Sequence, residues 1–373
     1  MPAFSFQSLK KRKNLRWLDL RSPLEYEKDH VPWAENLPLF DDEQRAIVGT
    51  FYKQDSSDRA YLEGLKIIKS RLPALVDQVL ERPVDTEQLL ANFNSLAQDL
   101  RGGMESAPID PDGDFDEDTE LVVYCWRGGM RSRSFTSLLR MMGVKAILLQ
   151  GGYKNYRHCV SAALDKESYP HTIVLRGRTG VGKTALLTEI ESKVPGSTIC
   201  LESLAAHRSS ALGAVGRHPV SQKMFESRLL ARLDQLNEGP IFIEGESRKV
   251  GDVVIPLGLF RAMELGKQVK IRASREYRRQ SLQQDYLVTP DAQAQIAQAL
   301  PFLEKRIGAK WTGELQRLLE QNNYDALVDI LLDRHYDPLY DQEDSKYQWS
   351  GELHRDNSQI ANELITIYSR ITA

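Results

Sequence analysis

The sequence predicts an α/β protein built from two parallel-sheet units, the second ending in a helical C-terminal region. Three observations predict it. The chain has 373 residues, about two domains at roughly 150 residues each. Short apolar strands alternate with helical stretches, the order of a parallel sheet with helices on both faces. Two glycine-containing loops, one at Cys125 and one at Lys183, each follow a strand and open a helix.

The strands and helices follow in order. Trp17–Leu20 is a short apolar strand, and residues 23–37 form a turn-rich return. Two helical stretches fill 41–100, broken at Pro83; the second carries Leu89, Leu90, Phe93, Leu96 and Leu100 at helical spacing. An acidic loop spans Asp110 to Glu120. It reads as solvated, because Gly113 falls too early for a calcium loop. Leu121–Tyr124 is a buried-type strand, Met130–Met142 a helix stopped by Gly143, and Lys145–Leu149 a strand closed by Gly151-Gly152. Tyr153–Lys166 reads as a helical connector. These features set domains at 1–152 and 171–373, with the connector at 153–170.

In the second unit, Thr172–Leu175, Thr198–Leu201, Ile241–Ile243 and Gln268–Ile271 are the expected strands. Ser221–Leu236 is an amphipathic helix, and the chain reads as helical from Glu276 to Arg370.

Composition removes several function classes. Hydrophobic residues are 41% and charged residues 27%, ordinary globular values. The net charge is −3, so nucleic acid would need a local basic patch. Three cysteines, Cys125, Cys159 and Cys200, make a poor disulfide framework and offer no zinc-type pair. They suit a reducing cytoplasm. Cys159 and Cys200 read as small core residues. The basic N-terminal stretch lacks the apolar core of a secretory signal, and no apolar run is long enough to span a membrane.

Gly177-Arg-Thr-Gly-Val-Gly-Lys-Thr184 fits the phosphate-loop pattern G-x-x-x-x-G-K-[ST] without a gap. Gly177, Gly180 and Gly182 let backbone N–H groups turn toward an anion. Lys183 adds charge, Thr184 can reach a magnesium ion, and the helix start adds its dipole. The pattern specifies phosphate or diphosphate binding and says much less about hydrolysis. The strand that would end in a metal-binding Asp ends here in Glu244, followed by Glu246 and Arg248. Metal binding and strand-end capping are both open for Glu244 and Glu246, and no metal is specified beyond an optional Mg2+. His207 and Arg208 follow the second strand of this unit, at the sheet edge where ligands bind. His207 is a candidate proton donor and Arg208 a candidate anion clamp; a plain polar loop is the other reading.

Cys125-Trp-Arg127-Gly128-Gly129-Met-Arg131-Ser132 lies between a strand and a helix. A cysteine there faces backbone N–H groups and a helix dipole, with two arginines beside it. This is the setting of a nucleophilic or chalcogen-carrying thiolate and of a tetrahedral-anion cradle.

The first unit resembles a rhodanese domain, on Leu18-Asp-Leu-Arg-Ser22, Glu25-Tyr26, residues 30–38 and the cysteine loop. Arg131 stands six positions after Cys125, one more than is common in sulfurtransferase loops. The longer loop resembles phosphatase and arsenate-reductase variants and suits a phosphate-sized group. Taken together, a rhodanese-like unit followed by a P-loop NTPase-like unit, with His207-Arg208-x-Ser210 and Glu246-Ser-Arg248, resembles the bacterial tRNA 2-selenouridine synthase family. The likeness is most specific at 125–132, 177–184 and 244–251 and thins after Tyr286.

The resemblance implies exchange of sulfur for selenium in wobble 2-thiouridine of tRNA, with selenophosphate as donor. It also implies S-geranylation from geranyl diphosphate as an intermediate step. Cys125 would handle selenium, with Arg127, Gly128, Gly129 and Arg131 around the anion. The Gly177–Thr184 loop would hold diphosphate, with Arg208, Glu244, Glu246 and Arg248 nearby. Partners implied are the tRNA, selenophosphate and its synthase; no membrane and no tightly bound cofactor are implied.

A tRNA needs basic surface. Lys270, Arg272, Arg275, Arg278 and Arg279 form a dense run on an acidic chain, read either as a phosphate-contacting face or as an ordinary solvated helix face. Tyr277 and Tyr286 could stack on a base or pack between helices. Three rivals fit the same motifs: a sulfurtransferase fused to a nucleotide-dependent kinase, a rhodanese-fold phosphatase or arsenate reductase, and a nucleotide-gated tRNA-binding module.

Overall fold

The structure is a computed structural model. It describes residues 3–12, 14–101, 121–165, 169, 171–287, 290–343 and 346–369. The acidic stretch from Asp110 to Glu120 lies outside them. The chain divides into two compact units, Met1–Ala163 and Leu164–Ala373.

The first unit holds strands β1 (Ala3–Phe4), β2 (Arg16–Asp19), β3 (Glu35–Asn36), β4 (Leu121–Tyr124) and β5 (Ala146–Leu149). They form one parallel sheet in the order β1-β5-β4-β2-β3. β4 and β5 are buried at every position, which is why they read as unbroken apolar runs. One face packs against Leu72, Val76, Leu89, Phe93, Phe135 and Leu138 of the surrounding helices.

Three expectations change here. β1 is a two-residue edge strand, too short to leave a periodic signal. Residues 41–100 hold three helices, Asp42–Gln54, Ser57–Leu80 and Thr86–Arg101. The extra break sits at Asp55-Ser56, where the Ser56 hydroxyl accepts the Arg59 N–H and starts a new helix. The expected connector is helix Gly152–Leu164, and it packs into the first unit. Tyr153 donates to Asp29 at 2.8 Å and Tyr156 meets Phe6 edge-on.

The second unit holds β6 (Thr172–Arg176), β7 (Thr198–Ile199), β8 (Ile241–Glu244), a small antiparallel pair β9 (Lys249–Val250) and β10 (Val253–Val254), β11 (Lys267–Arg272) and β12 (Trp349–His354). The main sheet is parallel in the order β12-β11-β6-β8-β7. The carboxyl ends of β6, β7 and β8 therefore share one edge, and the loops leaving them converge.

β12 is a strand within the C-terminal part that the sequence reads as mainly helical. Trp-Ser-Gly-Glu-Leu-His has no apolar run; its residues alternate between half-buried and exposed. It is a strand because β11 offers it an open edge. Between β11 and β12 the chain builds a helical layer with its own core of Leu300, Leu303, Leu315, Leu327 and Leu332. Among the described residues no helix is long and apolar enough to cross a membrane.

Candidate functional site

The cysteine loop is built by close backbone approach. Gly128 and Gly152 have φ of +66° and +59°, and a Cβ on Gly152 would stand 2.4 Å from the Cys125 carbonyl. Only glycine lets the two turns meet. Gly129, extended, caps helix Met130–Met141, whose first N–H groups have no helical acceptors. Cys125 is buried, and its Sγ lies 3.2 Å from the Ser132 hydroxyl. Ser132 is the neighbour that sequence reading left unassigned; its place directly after Arg131 was the available signal.

The loop is anchored from below. Arg21, 1% exposed, pairs with Asp19 through both carboxylate oxygens and donates to the Asp29 carbonyl. Its guanidinium lies 3.7 Å from the centre of the Tyr153 ring. The two arginines differ in their surroundings. Arg127 is exposed. Arg131 is half-buried, with Nη1 3.7 Å from Glu25.

The second unit concentrates its polar chemistry around Lys183. Gly177, Gly180 and Gly182 all take left-handed backbone. A Cβ on Gly177 would lie 2.3 Å from the Ile271 carbonyl, and one on Gly182 would lie 2.8 Å from the Tyr277 hydroxyl. Helix Lys183–Lys193 starts at Gly182. Lys183 Nζ donates to the Gly177 carbonyl at 3.0 Å and lies 5.7 Å from the Tyr340 ring centre. Burial opposes its charge, but Tyr340, Glu246, Glu202 and Glu244 together hold its pKa above the ordinary value.

Three carboxyls surround this lysine. Glu244 ends β8 fully buried. It accepts the Glu202 N–H, and its Oε2 stands 3.3 Å from Thr184 Oγ1. Glu202, at the start of the helix after β7, stands 3.1 Å from the same hydroxyl. Burial, with Glu202 and Glu246 nearby, pushes Glu244 up to about 8. Burial also raises Glu202, and raises Glu246 to about 7 with Lys183 opposing. Glu202 escaped the sequence reading, although its place after a strand of the ligand-binding edge was a usable signal. Thr184 and Glu244 are thus engaged with one another and with the backbone. Among the described residues no group of three His, Cys, Asp or Glu is placed to hold a metal ion. We assign no metal ligand.

The phosphate loop opens into a cavity of about 920 Å3, lined by Gly180, Gly182, Lys183, Thr184, Glu202, Arg208, Arg217, Glu246, Tyr277, Tyr286, Arg306 and Tyr340 among others. Arg208 has its guanidinium 4.6 Å from the centre of the Tyr286 ring. It donates to the Val215 and Asp285 carbonyls, and its buried Nε has no acceptor. Tyr277 and Tyr286 are wall residues here, packed on Gly182 and Arg208.

Other expected site residues stand away from the cavity. Arg248 is exposed just before β9 and is not among the residues that line the cavity. His207 is also outside the lining. Its ring fills the space beside Gly213 and Gly251, and Nδ1 accepts the Ser209 N–H. Burial lowers its pKa, which disfavours the protonated form a proton donor needs. Cys159 and Cys200 are half-buried; Cys200 packs against the apolar core of the second unit, as expected, and sits 2.9 Å from Ser203 and 3.7 Å from Glu244.

The run from Lys270 to Arg279 does not form a free basic face. Arg272 pairs with Glu352 at 2.6 Å, and Arg275 with Asp329 and Asp333. Arg279 pairs with Glu276 and stands near Asp325 and Asp329. Arg278 is buried against Asp337 and donates to the Thr179 carbonyl of the phosphate loop. Lys270 Nζ lies 5.0 Å from the Trp349 ring centre. Arg275 and Arg278 tie their helix to the helical layer and the phosphate loop, while Lys270 and Arg272 face residues of β12 within the sheet.

A rhodanese fold with a cysteine cradle is thus joined in one chain to a P-loop fold with a large anion-ready cavity. That combination matches known proteins along its length. The rhodanese-like domain model matches residues 5–159, and the model described as the tRNA 2-selenouridine synthase AAA domain matches residues 170–368. The chain belongs to the tRNA 2-selenouridine synthase family. The family match continues well past Tyr286, where motif reading finds little. The tRNA 2-selenouridine synthase of Pseudomonas syringae pv. syringae is 30% identical over 87% of this chain and 87% of its own length. That of Chromohalobacter salexigens is 28% identical over 87% of this chain and 86% of its own. That of Nitrosomonas europaea is 30% identical over 78% of this chain and 69% of its own.

Proposed function

We propose that this chain is a cytoplasmic tRNA-modifying transferase that replaces sulfur by selenium in wobble 2-thiouridine. Selenophosphate is the selenium donor, and S-geranylation from geranyl diphosphate precedes the exchange. One observation carries the reading: Lys183 and the glycine loop face a cavity with aromatic walls, a place for a diphosphate ester with an apolar part.

The thiouridine sulfur attacks C1 of the geranyl group. The C1–O bond breaks, its electron pair leaves with diphosphate, and the uracil N3 proton is released. Backbone N–H groups and Lys183 stabilise the departing charge. The selenium of selenophosphate then attacks C2 and expels the S-alkyl group, which takes up a proton and leaves as geranylthiol, a better departure than from a thiocarbonyl. Water next attacks phosphorus, the P–Se bond breaks with its electron pair staying on selenium, and phosphate is released. Cys125 and the N–H groups at Arg127, Gly128, Gly129 and Arg131 receive the selenophosphate. The tRNA, selenophosphate and the synthase that makes it are the partners, and the reading invokes no tightly bound cofactor.

The test is mass spectrometry of nucleosides from 2-thiouridine tRNA incubated with the full chain. Geranyl diphosphate alone should give geranylated thiouridine, and added selenophosphate should give selenouridine. Nucleotide turnover that depends on Lys183, with neither product formed, would transfer the reading to a sulfurtransferase–kinase fusion. The Thr184–Glu244 contact at the strand end favours that rival.

A further inference from the structure

Beside the phosphate cavity lies a small apolar pouch lined by Leu212, Leu282, Tyr286, Leu331 and Tyr336, with Thr179 of the phosphate loop also in its lining. Thr179, Leu282, Tyr286 and Tyr336 also line the main cavity, so the two spaces share a wall. Resting on the function proposed above, we propose that this pouch is the length-limiting pocket for the hydrocarbon end of a short prenyl diphosphate held on the Gly177–Thr184 loop.

The chemistry of the lining carries the assignment. Tyr286 Oη is 3.0 Å from Ser210 Oγ, outside the pouch, and Tyr336 also reaches Ser210. Tyr324 donates to Asn322 and accepts from Gln293, both outside it. The three tyrosines therefore spend their polar ends elsewhere. Only Thr179 and Gln283 add other polar side chains. A nucleobase would arrive with several donors and acceptors and lose them there; a hydrocarbon loses nothing.

Size sets the limit. The pouch holds about 50 Å3, and a water-sized group needs roughly 10–15 Å3 on that measure. Room for three to five such groups, about one branched isoprene end, follows from that ratio. A ten-carbon chain can lay its first unit along the Leu282–Tyr286 wall and its second in the pouch. A fifteen-carbon chain finds no room in the pouch for its third, which would have to lie back among the charged groups of the main cavity.

A second feature points to the same place. The helix Tyr324–Leu331 continues as a π-helical turn, Leu332–Tyr336. Such widened turns concentrate at functional sites, and this one delivers Tyr336 to the wall shared by the two spaces.

Val328 lines the pouch from a half-buried position, so its size can change without emptying the core. The experiment compares dimethylallyl, geranyl and farnesyl diphosphates as donors to 2-thiouridine tRNA, using the full chain. Val328→Ala should raise the farnesyl-to-geranyl ratio of kcat/KM about tenfold, and Val328→Phe should lower geranyl transfer about tenfold while sparing dimethylallyl transfer. Unchanged ratios in two variants that melt like the parent overturn the pouch and leave the geranyl reading standing. No transfer of any prenyl group by the parent overturns both. A geranyl diphosphate analogue with a photoreactive tail covers the case in which the variants misfold. Label on Leu212, Leu287, Ile296, Leu327 or Val328, which line the pouch and not the main cavity, supports the pouch, and label confined to other residues refutes it.

Discussion

At the scale of single residues, Lys183 and Cys125 should separate the two halves of the chemistry. Lys183→Ala removes the one ammonium donating into the phosphate loop; geranyl transfer should fall to background. Cys125→Ser should block selenation and leave geranylation largely intact, because Cys125 belongs to the other unit. Nucleoside mass spectrometry reads both products, and equal loss of both in the cysteine variant would refute this division of labour.

Glu246 adds a pH dependence to the same site. Its pKa of about 7 means that it is neutral in acid and charged in mild alkali. The groups facing it are Lys183, Glu202, Ser209 and Arg176, with Glu244 two residues away. An ionised Glu246 opposes a bound diphosphate. Affinity for geranyl diphosphate should therefore weaken about tenfold, the equivalent of one pKa unit, between pH 6 and 8.5. Calorimetric titration of Glu246→Gln beside the parent cancels the ligand's own titration. A parallel decline in both would remove Glu246 as the cause.

At the scale of elements, the helix Arg275–Tyr286 is a brace for the phosphate loop. Arg278, 5% exposed, links Asp337 to the Thr179 carbonyl. Asp337 keeps Arg178 at 3.4 Å and Arg275 at 3.9 Å, so the loss is that of the buried charged hydrogen bonds, about 1.5–3 kcal/mol. Arg278→Ala should lower the melting temperature by roughly 5–10 °C. Arg272→Ala, which breaks only a half-exposed pair with Glu352, should shift it by little. It should also leave tRNA affinity within about twofold, since a cation already paired within the protein releases few counterions on binding. A tenfold loss of tRNA affinity would restore the basic-face reading of this segment.

At the scale of the whole molecule, the buried carboxyls set how stability responds to pH. Glu244 titrates near 8 in the folded chain against an ordinary value of 4.5. The unfolded chain therefore gives up this proton first as pH rises. The associated stability is fully present below about 4.5 and is lost as pH climbs through about 8. The melting temperature should fall between pH 5 and 8.5. Glu244→Gln, which keeps an acceptor for the Glu202 N–H, should flatten that slope. An identical slope in the variant would assign the effect to other groups.

Local chemistry was legible from order and spacing. The strand–glycine loop–helix pattern at 177–184 and at 125–132 depends on residues adjacent in the chain. The buried strands β4, β5, β6 and β8 announce themselves as apolar runs because both their faces are covered. The two-unit α/β plan follows from the same local signals.

What escaped depends on partners far away in sequence. β12 is a strand only because β11 leaves an edge for it. Glu202 joins Glu244 at the lysine because parallel strands bring their carboxyl ends together. The basic run at 270–279 could be read as a nucleic-acid face or as a solvated helix face, and nothing in it announced the pairing with Asp325, Asp329, Asp333 and Asp337 some fifty residues downstream. By itself the sequence determined the two anion loops, the family and the fold class, since these rest on short-range backbone geometry. Only the tertiary structure decided which charges stay free to meet a substrate, because neutralisation and burial are set by neighbours in space.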